Sequence, residues 1–169
     1  FKSEGREEIR TAPAEASPVS APPAEQPRET KTITVFFLSD EDGLFHGELR
    51  RIETGPSVVQ EAERVVEELI RGSDKGFISP LPPETKLRQL FITKSGIAYV
   101  DFSKELTENH PSGSSAEIAT VYSIVNSLAY NFDSIKKVFI LVEGEEKETL
   151  GGHISLGQPF APHFSLNTD

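Results

Sequence analysis

The chain has 169 residues, a net charge of −10 and a pI near 4.9, with 36% hydrophobic residues and no cysteine. Its only adjacent basic pairs are Arg50–Arg51 and Lys136–Lys137, so it lacks the clustered cations that nucleic acid or an anionic lipid surface demands, and both are excluded as partners. Without cysteine there is no disulfide framework, thiolate nucleophile or Cys-ligated zinc, and no run approaches the roughly eighteen apolar residues of a membrane span.

Residues 1–30 hold five of the twelve prolines, Pro13, Pro18, Pro22, Pro23 and Pro27, and only Phe1, Ile9 and Val19 as sizeable apolar side chains. Such a segment buries too little surface to offset its ordering entropy, which predicts a disordered Pro/Ala/Glu-rich tether over 1–30 and a folded domain over 31–169. A tether joins two things, and the first residue is Phe1 rather than methionine. A membrane anchor or cleaved signal upstream is therefore one expectation, and a domain with an arbitrary disordered start is the other.

Residues 32–39 are β-branched and aromatic with both alternating sets apolar, Ile33, Val35 and Phe37 against Phe36 and Leu38, which predicts an interior strand. The acidic turn Asp40-Glu41-Asp42-Gly43 predicts a hairpin into a second strand over 44–52. It begins like a calcium loop but lacks the further oxygen ligands and closing Glu of one. Residues 57–71 read as a helix, with Ser57 and Gln60 in a capping-box pattern and Gly72 at the position of a C-terminal glycine cap. Its apolar stripe is Val58, Ala62, Val65, Val66 and Leu69, and Glu67 and Arg71 are an i,i+4 pair on the wet face. Pro80, Pro82 and Pro83 force an extended loop. Residues 85–93 and 97–102 read as a second hairpin. A second helix over 115–132 follows, with Ser114 and Glu117 in another capping-box pattern and Ile118, Val121, Tyr122, Val125, Leu128, Ala129 and Phe132 as its inner stripe. The continuous apolar run 138–142 predicts a central strand, with 147–150 returning beside it. The order ββα-ββα-ββ implies an α/β (α+β) two-layer sandwich, a mixed sheet with two helices on one face.

No residue set announces catalysis, a metal or a cofactor. The histidines His46, His110, His153 and His163 have neither the i,i+4 spacing of a zinc protease nor a Cys neighbour. No serine lies in a Gly-x-Ser-x-Gly elbow, and Gly151-Gly152-His153 lacks the helix that follows a phosphate loop. The glycine pair there reads as a tight bend, with His153 bonding locally. The second helix carries no charge from Ile118 to Phe132. Its outward face, Thr120, Ser123, Ile124, Ser127 and Asn131, is either simply solvated or a candidate interface that a partner approaches without desolvating ions.

Five stretches in this order resemble the GerMN domain, the sporulation and spore-germination module of bacterial envelope proteins. They are the first strand and its acidic turn (35–44), the loop from Ser79 to Thr85, the strand from Gly96 to Ser103, the strand from Val138 to Gly144, and Thr149-Leu150-Gly151-Gly152-His153. The resemblance spans roughly 32–160. It implies an α/β fold in a lipoprotein or membrane-tethered protein outside the cytoplasm, anchored through residues upstream, with no established active-site residues. One sporulation member looks like the ring-building motifs of secretion-type channels, which implies assembly, though this chain holds one copy of the domain instead of two. The expected role is a non-catalytic envelope interaction or scaffold domain, working through envelope protein partners or self-association. The alternative is a peptidoglycan-associated ligand-binding or hydrolytic module using His153, His110, Asp101 and Glu105 near a cleft.

Overall fold

A computed structural model describes residues 28–169. Of the expected tether over 1–30, residues 1–27 lie outside them, while Arg28 pairs with Glu53 at 3.1 Å, the Glu29 carbonyl accepts from the Thr54 N–H at 2.9 Å and Thr30 opens the first strand.

Strand β1 (Thr30–Leu38) pairs antiparallel with β2 (Phe45–Glu53) in unbroken register from Thr30↔Glu53 to Leu38↔Phe45. The acidic turn closes as expected. The Gly43 N–H donates to the Ser39 carbonyl at 3.0 Å with φ at 69°, and Asp42 Oδ1 accepts from the Leu44 N–H at 2.9 Å. Helix α1 (Val58–Arg71) follows, capped by Ser57 Oγ on the Gln60 N–H at 3.3 Å and ended by Gly72 at φ 90°. Arg71 pairs with Glu68 and Asp74 instead of the expected Glu67.

Strands β3 (Leu87–Ile92) and β4 (Ile97–Phe102) form the second hairpin, with a bulge at Arg88. The short helix α2 (Glu105–Glu108) and the long helix α3 (Ser114–Asn131) lead to β5 (Lys137–Val142), which pairs parallel with β4. A parallel neighbour needs a crossover of this length, and α3 supplies it. Helix α3 is also what divides the strands into two sheets, β1-β2 and β3-β4-β5. It lies along the free edge of β1, where another strand would otherwise pair. The expected return strand over 147–150 does not form. Phe160 takes the edge of β5 instead, exchanging backbone bonds with Val138 at 2.9 and 2.8 Å.

One core joins Ile33, Val35 and Phe37 of β1 to Val65, Val66 and Leu69 of α1, Val100 and Phe102 of β4, Leu128 of α3 and Ile140 of β5. The opposite face of the hairpin builds a smaller cluster of Phe36, Leu38 and Phe45 with Ala119, Tyr122 and Leu166. Both faces of β1 are thus covered, which is why its sequence reads as apolar throughout. Its edge is covered by a helix.

Candidate functional site

Helix α3, uncharged from Ile118 onward, is buried on nearly every side, and this corrects the expectation of a solvent-facing surface. Thr120, Ser123, Ile124 and Ser127 are buried, and Asn131 is half-buried and bonded. The reason lies in the exposed edge of β1. Thr34 and Phe36 sit in pairs whose N–H and C=O point away from β2. Asn131 Oδ1 accepts from the Thr34 N–H at 3.0 Å while its Nδ2 donates to the Thr34 carbonyl at 2.6 Å, and Ser127 Oγ accepts from the Phe36 N–H at 3.0 Å. One helical turn rises about 5.4 Å and two strand residues about 6.7 Å. Residues four apart on α3 therefore meet residues two apart on β1. Small neutral side chains are needed because an ion in this seam would lose its water without a counter-charge.

Asn126 and Thr120 of α3 hold loops in the same way, whereas the buried Ser123 hydroxyl meets no partner among the described residues. Asn126 accepts from the His163 N–H at 2.8 Å and donates to the His163 carbonyl and to Asn167 Oδ1, both at 3.1 Å, which ties down the C-terminal segment. The Thr120 hydroxyl meets the Pro80 carbonyl of the proline-rich loop. His110 joins it, with Nε2 2.7 Å from Thr120 Oγ1 and Nδ1 2.7 Å from the Pro111 carbonyl.

Glu117 is the sole charge in the helix interior, and its side chain is 0% exposed. It does not serve the expected capping box, since Gly113 is the N-cap residue and no side chain caps α3. Instead Oε1 accepts from the backbone N–H groups of Gly151 (2.7 Å), His153 (3.2 Å) and Ile154 (3.2 Å), and Oε2 from His153 Nδ1–H at 2.6 Å. Gly151-Gly152-His153 is a tight bend as expected, with Gly152 at φ 104°, but its partner is a carboxylate on a helix. Burial pushes the Glu117 pKa up, and the three backbone N–H groups and the His153 ring more than offset it, holding the carboxyl below its ordinary value.

Asp101 and Glu105 lie in separate surroundings. Asp101 Oδ1 accepts from the Gly144 N–H at 2.8 Å, and its Oδ2 is 3.6 Å from Arg88, which also meets Glu143 at 3.2 Å. The nearby Ser103 hydroxyl is the largest cause holding the Glu105 pKa down, and Glu105 Oε2 is buried with no hydrogen-bond partner among the described residues. His153, His110, Asp101 and Glu105 thus sit in four local networks. None of them lines the three main surface clefts. The largest, about 440 Å³, lies between the proline-rich loop and the turn after α2, and presents Ser79, Glu84 and Asn109 among Leu81, Pro82, Pro83 and Pro111. Among the described residues, no three His, Asp or Glu side chains are grouped to hold a metal ion, and no helix is long and apolar enough to cross a membrane.

Sequence reasoning also passed over a buried ion cluster on β2. Arg50 donates to Glu68 (2.8 Å), Glu48 (3.2 Å) and the Gly72 carbonyl (2.8 Å), while Glu48 accepts from Ser73 Oγ (3.1 Å) and the Asp74 N–H (3.2 Å). A guanidinium here satisfies the carbonyl just past the end of α1 and ties β2 to that helix.

These features define a mixed α/β domain of two small sheets on two helices, in which Glu117, Thr120, Asn126, Ser127 and Asn131 bind the chain's own backbone. Within that class the chain belongs to the sporulation and spore germination family termed Germane, whose model matches residues 34–148. Solved structures agree. A Clostridium perfringens protein assigned as a lipoprotein is 26% identical with a TM-score of 0.57, covering 83% of this chain and 93% of its own. The first GerMN domain of the sporulation protein GerM from Bacillus subtilis is 25% identical with a TM-score of 0.59, covering 75% and 95%. The tandem GerMN domains of GerM are 24% identical with a TM-score of 0.64, covering 79% of this chain and 46% of the pair, so this chain has the fold and extent of one such domain. A comparison with curated protein sequences finds no match.

Proposed function

We propose that this chain is a non-catalytic interaction domain of the bacterial cell envelope, held outside the cytoplasm by a tether and acting through protein partners. The observation that carries this reading is where the polar groups are engaged. Glu117, Thr120 and Asn126 each bond to a different loop of the chain's own backbone, and Ser127 and Asn131 bond to the edge of β1. The four residues considered for chemistry are each in separate contacts instead of converging on one cleft, as acid–base or nucleophilic catalysis requires. The family and the lipoprotein assigned in Clostridium perfringens support the envelope setting. The test is crosslinking in intact cells with the full chain, comparing wild type with a His110→Ala, Glu105→Ala double variant. Equal recovery of crosslinked envelope proteins supports the proposal. Loss of a peptidoglycan-cleaving activity in the variant, with folding intact, would sink it.

The cleft of about 440 Å³ favours a second reading, a peptidoglycan-associated ligand-binding module, because its volume suits a small ligand and Ser79, Glu84 and Asn109 offer polar contacts. Titration with a soluble muropeptide, followed through the Asn109 side-chain amide resonances, decides this. A saturable shift supports it, and no shift at millimolar ligand removes it.

A further inference from the structure

The edges of the two sheets are treated unequally. The outer edge of β1 is bonded by α3 and, at the Leu38 carbonyl, by the Ile78 N–H at 2.9 Å. On the outer edge of β5, Phe160 bonds Val138 and the Glu145 carbonyl accepts from the Val142 N–H at 3.0 Å. That of β3 offers Leu90 and Ile92 beyond the Arg88 bulge, with Lys86, Arg88 and Lys94 around it, the usual protection of an edge. The outer edge of β2 carries the exposed Arg51 but has no bulge, and no segment among the described residues covers its middle. The bonded pairs Ser39–Leu44 and Glu29–Thr54 fix the alternation, so Phe45, Gly47, Leu49, Arg51 and Glu53 point their backbone groups away from β1. Phe45 is taken by Thr168, whose N–H donates to its carbonyl at 2.8 Å, and the Glu53 carbonyl accepts from Arg64. Between them the N–H and C=O groups of Gly47, Leu49 and Arg51 meet no partner among the described residues. All three residues are exposed, Leu49 at 74%.

We propose that the edge of β2 from Gly47 to Arg51 is a docking site for an extended peptide strand that carries a lysine or arginine side chain into the cleft beside Glu67. Unpaired strand groups at strand spacing are matched by the backbone of another strand, and five residues give such a partner about 17 Å to lie along. The same edge already accepts an extended segment, since Asn167 forms a parallel bridge with Phe45 immediately before the open stretch. Alternate side chains of an added strand point toward α1. There a cleft of about 250 Å³ is lined by Arg51, Ile52, Glu53, Arg64, Glu67 and Glu68. Glu53 is paired with Arg28 and Arg64, and Glu68 with Arg50 and Arg71, whereas Glu67 has no ion pair among the described residues. A basic side chain entering the cleft meets Glu67, its one carboxylate without an ion pair among the described residues, beside Arg51, whose Nη2 donates to Thr30 Oγ1 at 2.7 Å.

This site deepens the interaction reading and rests on it. The probe is an acetylated, amidated heptapeptide of alternating threonine and lysine, together with the same peptide N-methylated at alternate amides. Hydrogen exchange of the full chain is followed by NMR. The unmodified peptide is expected to slow exchange at the Gly47, Leu49 and Arg51 amides by at least about tenfold. The N-methylated peptide is expected to leave them unchanged, and Glu67→Gln to weaken binding several-fold. Equal protection by both peptides, protection elsewhere, or none at millimolar peptide overturns the proposal. Protection that grows with the concentration of the chain alone overturns it too, by making a second copy the occupant. Crosslinking to envelope proteins that survives Leu49→Pro would sink the edge and leave the interaction reading standing. Peptide protection without envelope crosslinks would do the reverse.

Discussion

Replacing Glu117 is the most informative perturbation of this fold. Its carboxylate accepts four hydrogen bonds, at 2.6, 2.7, 3.2 and 3.2 Å, from residues that are otherwise a loop far along the chain. Hydrogen bonds to a charged acceptor contribute about 1.5–3 kcal/mol each when the partner is left without water. Gly151 and His153 are exposed, however, so their N–H groups recover water once the carboxylate is gone. Glu117→Ala is therefore expected to cost about 2–4 kcal/mol instead of the full sum, lowering Tm by about 5–15 °C for a domain of this size. Glu117→Gln keeps one acceptor oxygen and loses the charge, so it should cost roughly half as much.

The pH dependence separates a charged pin from a merely space-filling side chain. The folded pKa of Glu117 is depressed, so the unfolded state binds the proton more readily. Its stabilisation is fully present above the unfolded value of about 4.3 and is lost as pH falls through the folded value. Urea unfolding followed by circular dichroism at pH 7 and in steps below pH 5 should show wild type losing more stability on acidification than Glu117→Gln. Identical acid limbs, or a Glu117→Ala protein within about 1 °C of wild type, would refute the reasoning.

Other substitutions follow from the same geometry. His153→Ala removes one bond from a ring that is 52% exposed but leaves the backbone bonds to Glu117, so a loss near 1 kcal/mol in urea unfolding is expected. Asn131→Ala uncaps both backbone groups of Thr34 and should cost about 1–3 kcal/mol, with faster hydrogen exchange at the Thr34 amide as the local readout. Arg50→Ala leaves Glu48 buried without its cation and should cost about 3–5 kcal/mol, measured by thermal melting at pH 7, whereas Arg51→Ala on the exposed face of the same strand should cost under about 0.5 kcal/mol.

The elements with a local cause were readable from the residues alone. Gly43 and Asp42 make the first turn, Ser57 and Gly72 bound α1, and the alternation through Val100 and Phe102 places β4. What escaped is tertiary. A neutral stripe of Ser, Thr and Asn looks the same whether water or a strand edge satisfies it, and only the position of β1 decides that Ser127 and Asn131 bond to Phe36 and Thr34. Glu117 was assigned to Ser114 three residues before it, while its partners lie 34 to 37 residues downstream. Its isolation as the one charge in an uncharged helix was the available signal. Arg50 was similarly open to inference. The period of two that turns Ile52 inward also turns Glu48 and Arg50 inward, and opposite charges two apart on a buried face imply a pair.

The account holds that α3 satisfies the edge of β1 and the Gly151 loop from within while the edge of β2 stays open for a partner. Native-state hydrogen exchange on the isolated chain, resolved by residue, tests this most directly. Slow exchange is predicted at the amides of Thr34, Phe36, Gly151 and Ile154, and fast exchange at Gly47, Leu49 and Arg51. Comparable protection on the two edges of the hairpin, or rapid exchange at Thr34 and Phe36, would contradict it.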